Sequence, residues 1–382
     1  MALLFGSGER YTVSPSTSSV NEGSSVTFTV TTSNVSDGTT LYWSLNTVSG
    51  TINTSDFTGA AVTGSFSISS GSGSVALTLA NDGTTEGSES FQLQVRTGST
   101  SGTIVATSST VTVSDTSISP DFTISPSVNG ITNWVIATNG ALILDTPQTY
   151  TIVAQKSFTS TVKMWGEGRS ENTGGYSTGT VSFTNGTTYT VSLNAGRGTQ
   201  GQSNGWVGGE NGGAYAGLFA TSSVSQGNAI MIAGGAGGTG FGHGSSSGGA
   251  GGGSSGGNGT NSPDSQTGST GGSGGVQGAA GGGGAAGGQP GSALQGGNGG
   301  SGSGSYPNWG GGGGGGGGYF GGGGGGGGND DGNGTRTASG GGGGSGYING
   351  SYVSGGSTGS YQDGPNRGSA GQVNGPSRVV IG

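Results

Sequence analysis

The sequence predicts an all-β chain made of two materials, a β-sandwich followed by a glycine-rich part framed by sheet. Three observations carry that prediction. Valine, leucine, isoleucine and phenylalanine alternate with threonine and serine in short runs, and turn dipeptides separate the runs. No stretch repeats with a convincing helical period. Glycine is placed unevenly, with 15 of the 99 in residues 1–165 and 84 after them.

Residues 1–10 read as an N-terminal arm. Its Leu3, Leu4 and Phe5 form an apolar cluster that either packs on the first domain or docks on an assembly partner. Residues 11–118 read as the sandwich. Val26, Phe28 and Val30 alternate with Thr27, Thr29 and Thr31, the period of a half-buried strand. The series continues through 41–45, 66–68, 75–79, 91–95 and 111–113. Asp37-Gly38, Ser70-Gly71, Asn81-Asp82-Gly83 and Thr97-Gly98 supply the turns. Residues 119–137 are expected to connect the two domains, with a strand at 134–136. Residues 138–382 form the glycine-rich domain: lead-in strands to 195, glycine segments and loops over 196–377, and a closing strand over 378–382. Asn139-Gly140 and Asn185-Gly186, each between apolar runs, predict hairpins.

Asn21-Glu22-Gly23-Ser24-Ser25-Val26-Thr27-Phe28, Gly38-Thr39-Thr40-Leu41-Tyr42-Trp43, Asp56-Phe57, the run from Asp82 to Phe91, and Val111-Thr112-Val113-Ser114-Asp115 follow one another in the first domain. In that order they resemble the Calx-β family. The resemblance implies an immunoglobulin-like sandwich over residues 11–116. It also implies a Ca²⁺ site at one end built from Asp56, Asp82, Glu86 and Asp115, with Glu22 a weaker candidate. Hard carboxylate oxygens from several loops suit that ion. Yet Asp82 is followed by Gly83 and Asp115 by Thr116, where calcium-binding members carry consecutive aspartates, so a metal-free spacer is the stronger expectation.

A second resemblance covers residues 138–382. Ser160-Thr161-Val162-Lys163-Met164-Trp165-Gly166-Glu167-Gly168, Gly174-Gly175-Tyr176, Tyr189-Thr190-Val191 and the final Arg378-Val379-Val380-Ile381 are similar to the opening and closing strands of glycine-rich domains in phage tail fibres and adhesins. Glu167, Arg169 and Glu171 depart from that pattern, which is small and glycine-rich at these positions.

Whether the glycine is ordered is the central question. The runs Gly310–Gly318, Gly321–Gly328 and Gly340–Gly344 are extreme. Glycine carries the highest ordering entropy, so such runs are disordered unless something systematic locks them. Collagen fails for want of a triplet repeat and of proline. A flexible linker predicts an open end, whereas the apolar closing strand needs a partner, naturally among the strands of 150–193. The remaining reading is a bundle of polyglycine II helices, extended and left-handed, pairing backbone to backbone in a lattice that excludes side chains. Insertions between the runs then mark rod ends. On such an end Trp309, Tyr319, Phe320, Asp330, Tyr347, Tyr352 and Tyr361 are candidate contacts for a receptor or partner. The competing reading has about half of the aromatics merely capping rods.

Composition narrows function. The net charge of −8, with no basic cluster, argues against nucleic acid and against an anionic membrane surface. No apolar run is long enough for a membrane span, and the start lacks the pattern of a signal peptide. No cysteine is present. A lone histidine, His243, excludes His-based triads and multi-His metal sites, and no phosphate-binding glycine loop ends in lysine. The expectation is a protein that is not an enzyme: a bacteriophage virion protein, a tail-fibre or adhesin component assembled in the host cytoplasm and exposed on the particle. Its partners would be other virion proteins and a host surface glycan or outer-membrane protein. A homotrimer is the oligomer such fibres imply, although no heptads support one. Two alternatives stand beside this: a head or neck decoration that binds only virion proteins, and a bacterial surface or biofilm adhesin.

Overall fold

The structure, a computed structural model, describes residues 8–81, 87–116, 119–170, 172–203, 208–241, 246–263, 268–303, 310–328, 337–359 and 375–382. Leu3, Leu4, Phe5, Asp82, Glu86, His243, Trp309, Asp330 and Tyr361 lie outside the described residues. The chain divides into two units, Met1–Ser119 and Pro120–Gly382.

The first unit is a β-sandwich. Its strands are β1 (Arg10–Pro15), β2 (Ser19–Asn21), β3 (Ser25–Ser33), β4 (Thr40–Ser49), β5 (Thr63–Ser67), β6 (Ser72–Thr78), β7 (Glu89–Arg96), β8 (Ile104–Thr107) and β9 (Val111–Ser114). One sheet has the order β1-β3-β6; the other has β2-β9-β7-β4-β5, with β8 added beside β7. The alternation read in β3 is realised, since Val26, Phe28 and Val30 are fully buried. They meet Leu41, Phe91, Leu93, Val95 and Val111 from the facing sheet in one core. Phe28 and Phe91 bridge the sheets at 6.1 Å, and Phe57 closes edge-on to Phe91 at 5.6 Å.

The second unit opens with two further antiparallel sheets. Its strands are β10 (Phe122–Val128), β11 (Ile131–Trp134), β12 (Leu142–Leu144), β13 (Thr149–Ala154), β14 (Phe158–Trp165), β15 (Tyr176–Phe183), β16 (Thr188–Ala195), β17 (Tyr215–Phe219), β18 (Ala229–Ala233), β19 (Tyr347–Ile348), β20 (Val353–Gly359) and β21 (Arg378–Ile381). The orders are β11-β10-β13-β16-β17-β18-β19 and β12-β21-β14-β15-β20. The two sheets share one apolar core that includes Phe122, Ile152, Met164, Val191 and Ile381.

Three expectations need correction here. Residues 119–137 are not a mere connector, because β10 and β11 belong to the larger sheet. Asn139-Gly140 is not a hairpin. Ile136–Asn139 form a single helical turn, Asn139 Oδ1 accepts from the Val135 N–H, and Gly140 ends the turn at φ 76°. Asn185-Gly186 is a tight turn, with Gly186 at φ 73°, but β15 and β16 lie in different sheets. Turn chemistry in a sequence marks a reversal, not which partner the strand then takes. The closing strand does find partners: β21 pairs with β14, as the apolar tail required, and also with β12.

Sheet strands run on directly into the glycine segments. Residues 208–213 lead into β17, residues 234–240 follow β18, and residues 339–346 lead into β19. The segment Gly310–Gly318 shows the bonding rule. Gly313, Gly316 and Tyr319 donate to the carbonyls of Ser339, Gly342 and Ser345. Gly312 and Gly315 donate to Gly300 and Gly297, and Gly314 and Gly317 to Glu210 and Gly213. Its carbonyls accept from three further segments: Gly198 and Gly201, Gly235 and Gly238, and Gly322, Gly325 and Gly328. Each neighbour is addressed by every third residue, and six neighbours surround one segment. Gly321–Gly328 and Ser339–Ser345 follow the same rule, and these three segments bond to one another.

Glycine is required here for its missing side chain, not for its conformational freedom. None of Gly310–Gly318, Gly321–Gly328 or Gly340–Gly344 has a positive φ. A Cβ placed on Gly315, Gly322, Gly341 or Gly344 would overlap the carbonyl of Gly322, Gly342, Gly314 or Gly317 in turn. The hydrogen standing in that position points at a carbonyl oxygen instead, a contact of about 0.5–1 kcal/mol.

Candidate functional site

Among the residues singled out for calcium, Asp56 sits in a short 3₁₀ turn, Thr54–Asp56. Its Oδ2 accepts from the Asn53 N–H at 2.6 Å, closing a capping box. Asp115 Oδ2 accepts from the Gly87 N–H at 2.8 Å. Asp56 and Asp115 each hold a backbone N–H with Oδ2, and Asp56 Oδ1 is buried without a hydrogen-bond partner. Among the described residues no three acidic or histidine side chains come together as a metal-binding group. Asp82 and Glu86, the other two residues of that set, lie outside the described residues.

The aromatics divide. Tyr319 and Tyr347 stack with ring centres 3.8 Å apart and planes 7° apart, and Phe320 meets Tyr319 edge-on at 5.5 Å. Both tyrosines pack on a cluster of Tyr215, Phe219, Ala229 and Ile232, which belongs to β17 and β18. Gln226 Nε2 donates to the Tyr319 carbonyl at 2.6 Å. These rings lie where the glycine segments meet the sheet, so Tyr319 and Tyr347 seal a junction. Burial, then the neighbouring Tyr347, raises the Tyr319 hydroxyl above its ordinary pKa. Burial also raises Tyr215, against a lowering hydrogen bond with Ser192. Tyr352, by contrast, is 39% exposed in the turn before β20.

A second cluster at the same junction was legible only as an anomaly of charge. Glu167 follows β14, where its backbone N–H donates to Ala214 O and its carbonyl accepts from the Ala236 N–H. Its carboxylate gathers Arg169 Nη2 on Oε1 at 2.8 Å, and Arg197 Nη2 and the Ala214 N–H on Oε2 at 3.0 and 2.8 Å. Beside it opens a cavity of about 390 Å³, lined by Glu167, Gly168, Arg169, Ser170, Glu210, Gly375 and Pro376. Glu210 Oε2 and Arg169 Nε are buried without a hydrogen-bond partner. Arg197 and Glu210 were missed from sequence. Each stands alone in glycine-rich surroundings, and only the folded segments bring them to Glu167.

No family model matches the chain, and no curated protein matches it. Among solved structures, it is similar to the crystal structures of CBD12 from CALX1.2 and of the calcium-binding domain CBD12 of CALX1.1. Identities are 16% and 17%, with 49% and 50% of this chain and 80% and 79% of those chains covered. The TM-scores are 0.21 and 0.20. Among the described residues no helix is long and apolar enough to cross a membrane.

Proposed function

We propose that the glycine segments form a polyglycine II bundle and that the chain is a non-enzymatic bacteriophage virion protein, a tail-fibre or adhesin component. The observation that carries the reading is the three-residue period of bonds from Gly310–Gly318 to six neighbouring segments. A left-handed helix with three residues per turn and negative φ has that period and lacks internal bonds, so its amides are free for neighbours. At ~3.1 Å per residue a nine-residue segment spans ~28 Å, a short rigid rod. Such a bundle holds its outer loops with little ordering entropy left to lose on binding, which suits recognition. The sandwich then serves as a spacer or attachment module that joins the head to other virion proteins.

The partner class follows from the same chemistry: a host surface glycan or outer-membrane protein met by polar and aromatic groups outside the lattice. The test is saturable binding of the fluorescent full-length chain to a panel of bacterial strains. Strain-restricted binding is expected. Uniform absence of cell binding, together with stable association with purified virions, would replace adhesion by a decoration role. Export of the chain to the surface of the cell that makes it would favour a bacterial adhesin.

A further inference from the structure

We propose that the rim of the glycine lattice is a latent self-association surface, kept shut by asparagine and serine side chains that stand where a further segment would lie. The partner it would otherwise take is a glycine segment of a second copy of this chain. This rests on the bonding rule of the segments alone, whatever the chain adheres to. An inner segment such as Gly310–Gly318 donates to three neighbours and accepts from three. A segment at the rim keeps the same three rows of amides but has fewer neighbours to receive them. A row left open is a template for another chain, as at the edge of a sheet.

Residues 268–275 show how the third row is answered. Gly272 and Gly275 donate inward to the carbonyls of Gly340 and Gly343, both at 2.9 Å, and Ser273 donates sideways to Gly282 at 2.9 Å. Gly271 and Gly274 donate instead to side chains, Asn261 Oδ1 at 2.9 Å and Asn258 Oδ1 at 2.8 Å. Those two asparagines lie three residues apart on the neighbouring segment and are exposed. Their spacing matches the three-residue period of the row they cover.

Residues 198–203 repeat the device with different side chains. Gly198 and Gly201 donate inward to Gly315 and Gly312, both at 2.8 Å. Thr199 donates to Asn298 Oδ1 at 2.9 Å and Gln202 to Ser301 Oγ at 3.2 Å, again three residues apart on both sides. Gln200 donates to Asn211 Oδ1 at 2.9 Å. Asn298 and Ser301 are exposed. The chemistry fits this role, because the side-chain amide of asparagine presents the same carbonyl acceptor as a peptide group. It ends there, so it satisfies the row without offering backbone that another segment could extend. A side chain also holds a second segment at a distance, since segments in this lattice approach too closely to admit a Cβ, as at Gly315 and Gly322.

The experiment removes the side chains from the full-length chain in two pairs, Asn258→Gly with Asn261→Gly and Asn298→Gly with Ser301→Gly. Amide exchange and sedimentation over a concentration series are measured on each. At high dilution Gly271 and Gly274 should exchange at least about tenfold faster in the first pair, and Thr199 and Gln202 in the second. Gly272, Gly275, Gly198 and Gly201 should keep their protection. With rising concentration each variant should gain mass beyond the unsubstituted chain, and the opened row should slow again. Asn258→Asp with Asn261→Asp keeps an acceptor at each position and should keep Gly271 and Gly274 protected. Unchanged exchange in the glycine variants overturns the proposal, and so does faster exchange without a gain in mass. Loss of protection at Gly272 and Gly275 in the first pair also overturns it, because the side chains would then support the segment rather than shut its outer row. Fast exchange of Gly272 and Gly275 in the unsubstituted chain would overturn the lattice itself, a separate failure.

Discussion

The first unit and the glycine segments solve one problem by opposite means. The sandwich buries side chains: Phe28, Leu41, Phe91, Leu93 and Val111 are each fully buried, at about 1.5–3 kcal/mol per large apolar side chain. The glycine segments bury backbone alone. Each ordered residue there costs about 1–2 kcal/mol of backbone entropy, against a net of about 0.5–1.5 kcal/mol per hydrogen bond. Those terms nearly cancel, so an isolated set of glycine rods is marginal. The lattice is held because its segments are continuous with β17, β18 and β19 and because the Tyr319–Tyr347 stack seals the junction. A side-chain core tolerates small errors by repacking. A backbone core has nothing to repack.

That contrast predicts an inverted response to mutation. Gly322→Ala should be the most damaging, at about 4 kcal/mol or more, because a Cβ there meets the Gly342 carbonyl rather than a flexible side chain. The bonds Gly322 makes to Gly316 and Gly297, at 2.9 and 2.8 Å, would be disturbed as well. Gly278→Ala in the same unit, with open space around its Cβ, should change stability by less than about 0.5 kcal/mol. Denaturant titration of both variants checks the pair, and equal effects would break the comparison. Next comes Leu93→Ala, a cavity in the sandwich costing about 2–5 kcal/mol. It should lower the sandwich transition while the glycine amides keep their protection.

Smaller effects separate the regions by pH and by ions. Tyr215 and Tyr319 have raised hydroxyl pKa values, so their neutral forms are favoured in the folded state. The stability this gives is fully present below the unfolded value of 10.0 and is lost as pH rises through the folded values. A melting series from about pH 8 to 11 should show the second unit weakening above pH 10.0, and less so in Tyr215→Phe. Smallest of all, Ca²⁺ at about 1 mM should leave the sandwich transition unmoved. A rise that saturates with ion concentration would restore the carboxylates to a binding role.

Much of the fold was written locally. The β3 alternation, the Gly38 and Gly71 turns and the apolar Val379-Val380-Ile381 tail each carry their structure in neighbouring residues. The runs Gly310–Gly318 and Gly321–Gly328 announced a built core once a closing strand argued against an open end. Pairing was harder. Asn185-Gly186 marks a turn, but the choice of sheet on either side depends on strands far away in sequence. The junction was harder still. Tyr319, a candidate contact at a rod end by sequence, packs on Tyr215, Phe219, Ala229 and Ile232 of the sheet. Glu210 and Arg197 gave no signal, because single charged residues among glycines meet Glu167 only through the three-residue period of the segments.

The most direct test of the lattice is amide hydrogen exchange across Gly310–Gly328, resolved by residue. The amides of Gly312–Gly317 and Gly321–Gly328 bond to carbonyls of surrounding segments at 2.8–3.0 Å. They should exchange with the slow rates of the β13 and β16 amides rather than with those of a loop. Exchange of Gly312–Gly317 at random-coil rates would contradict the account, leaving the glycine runs as tethers between ordinary sheets.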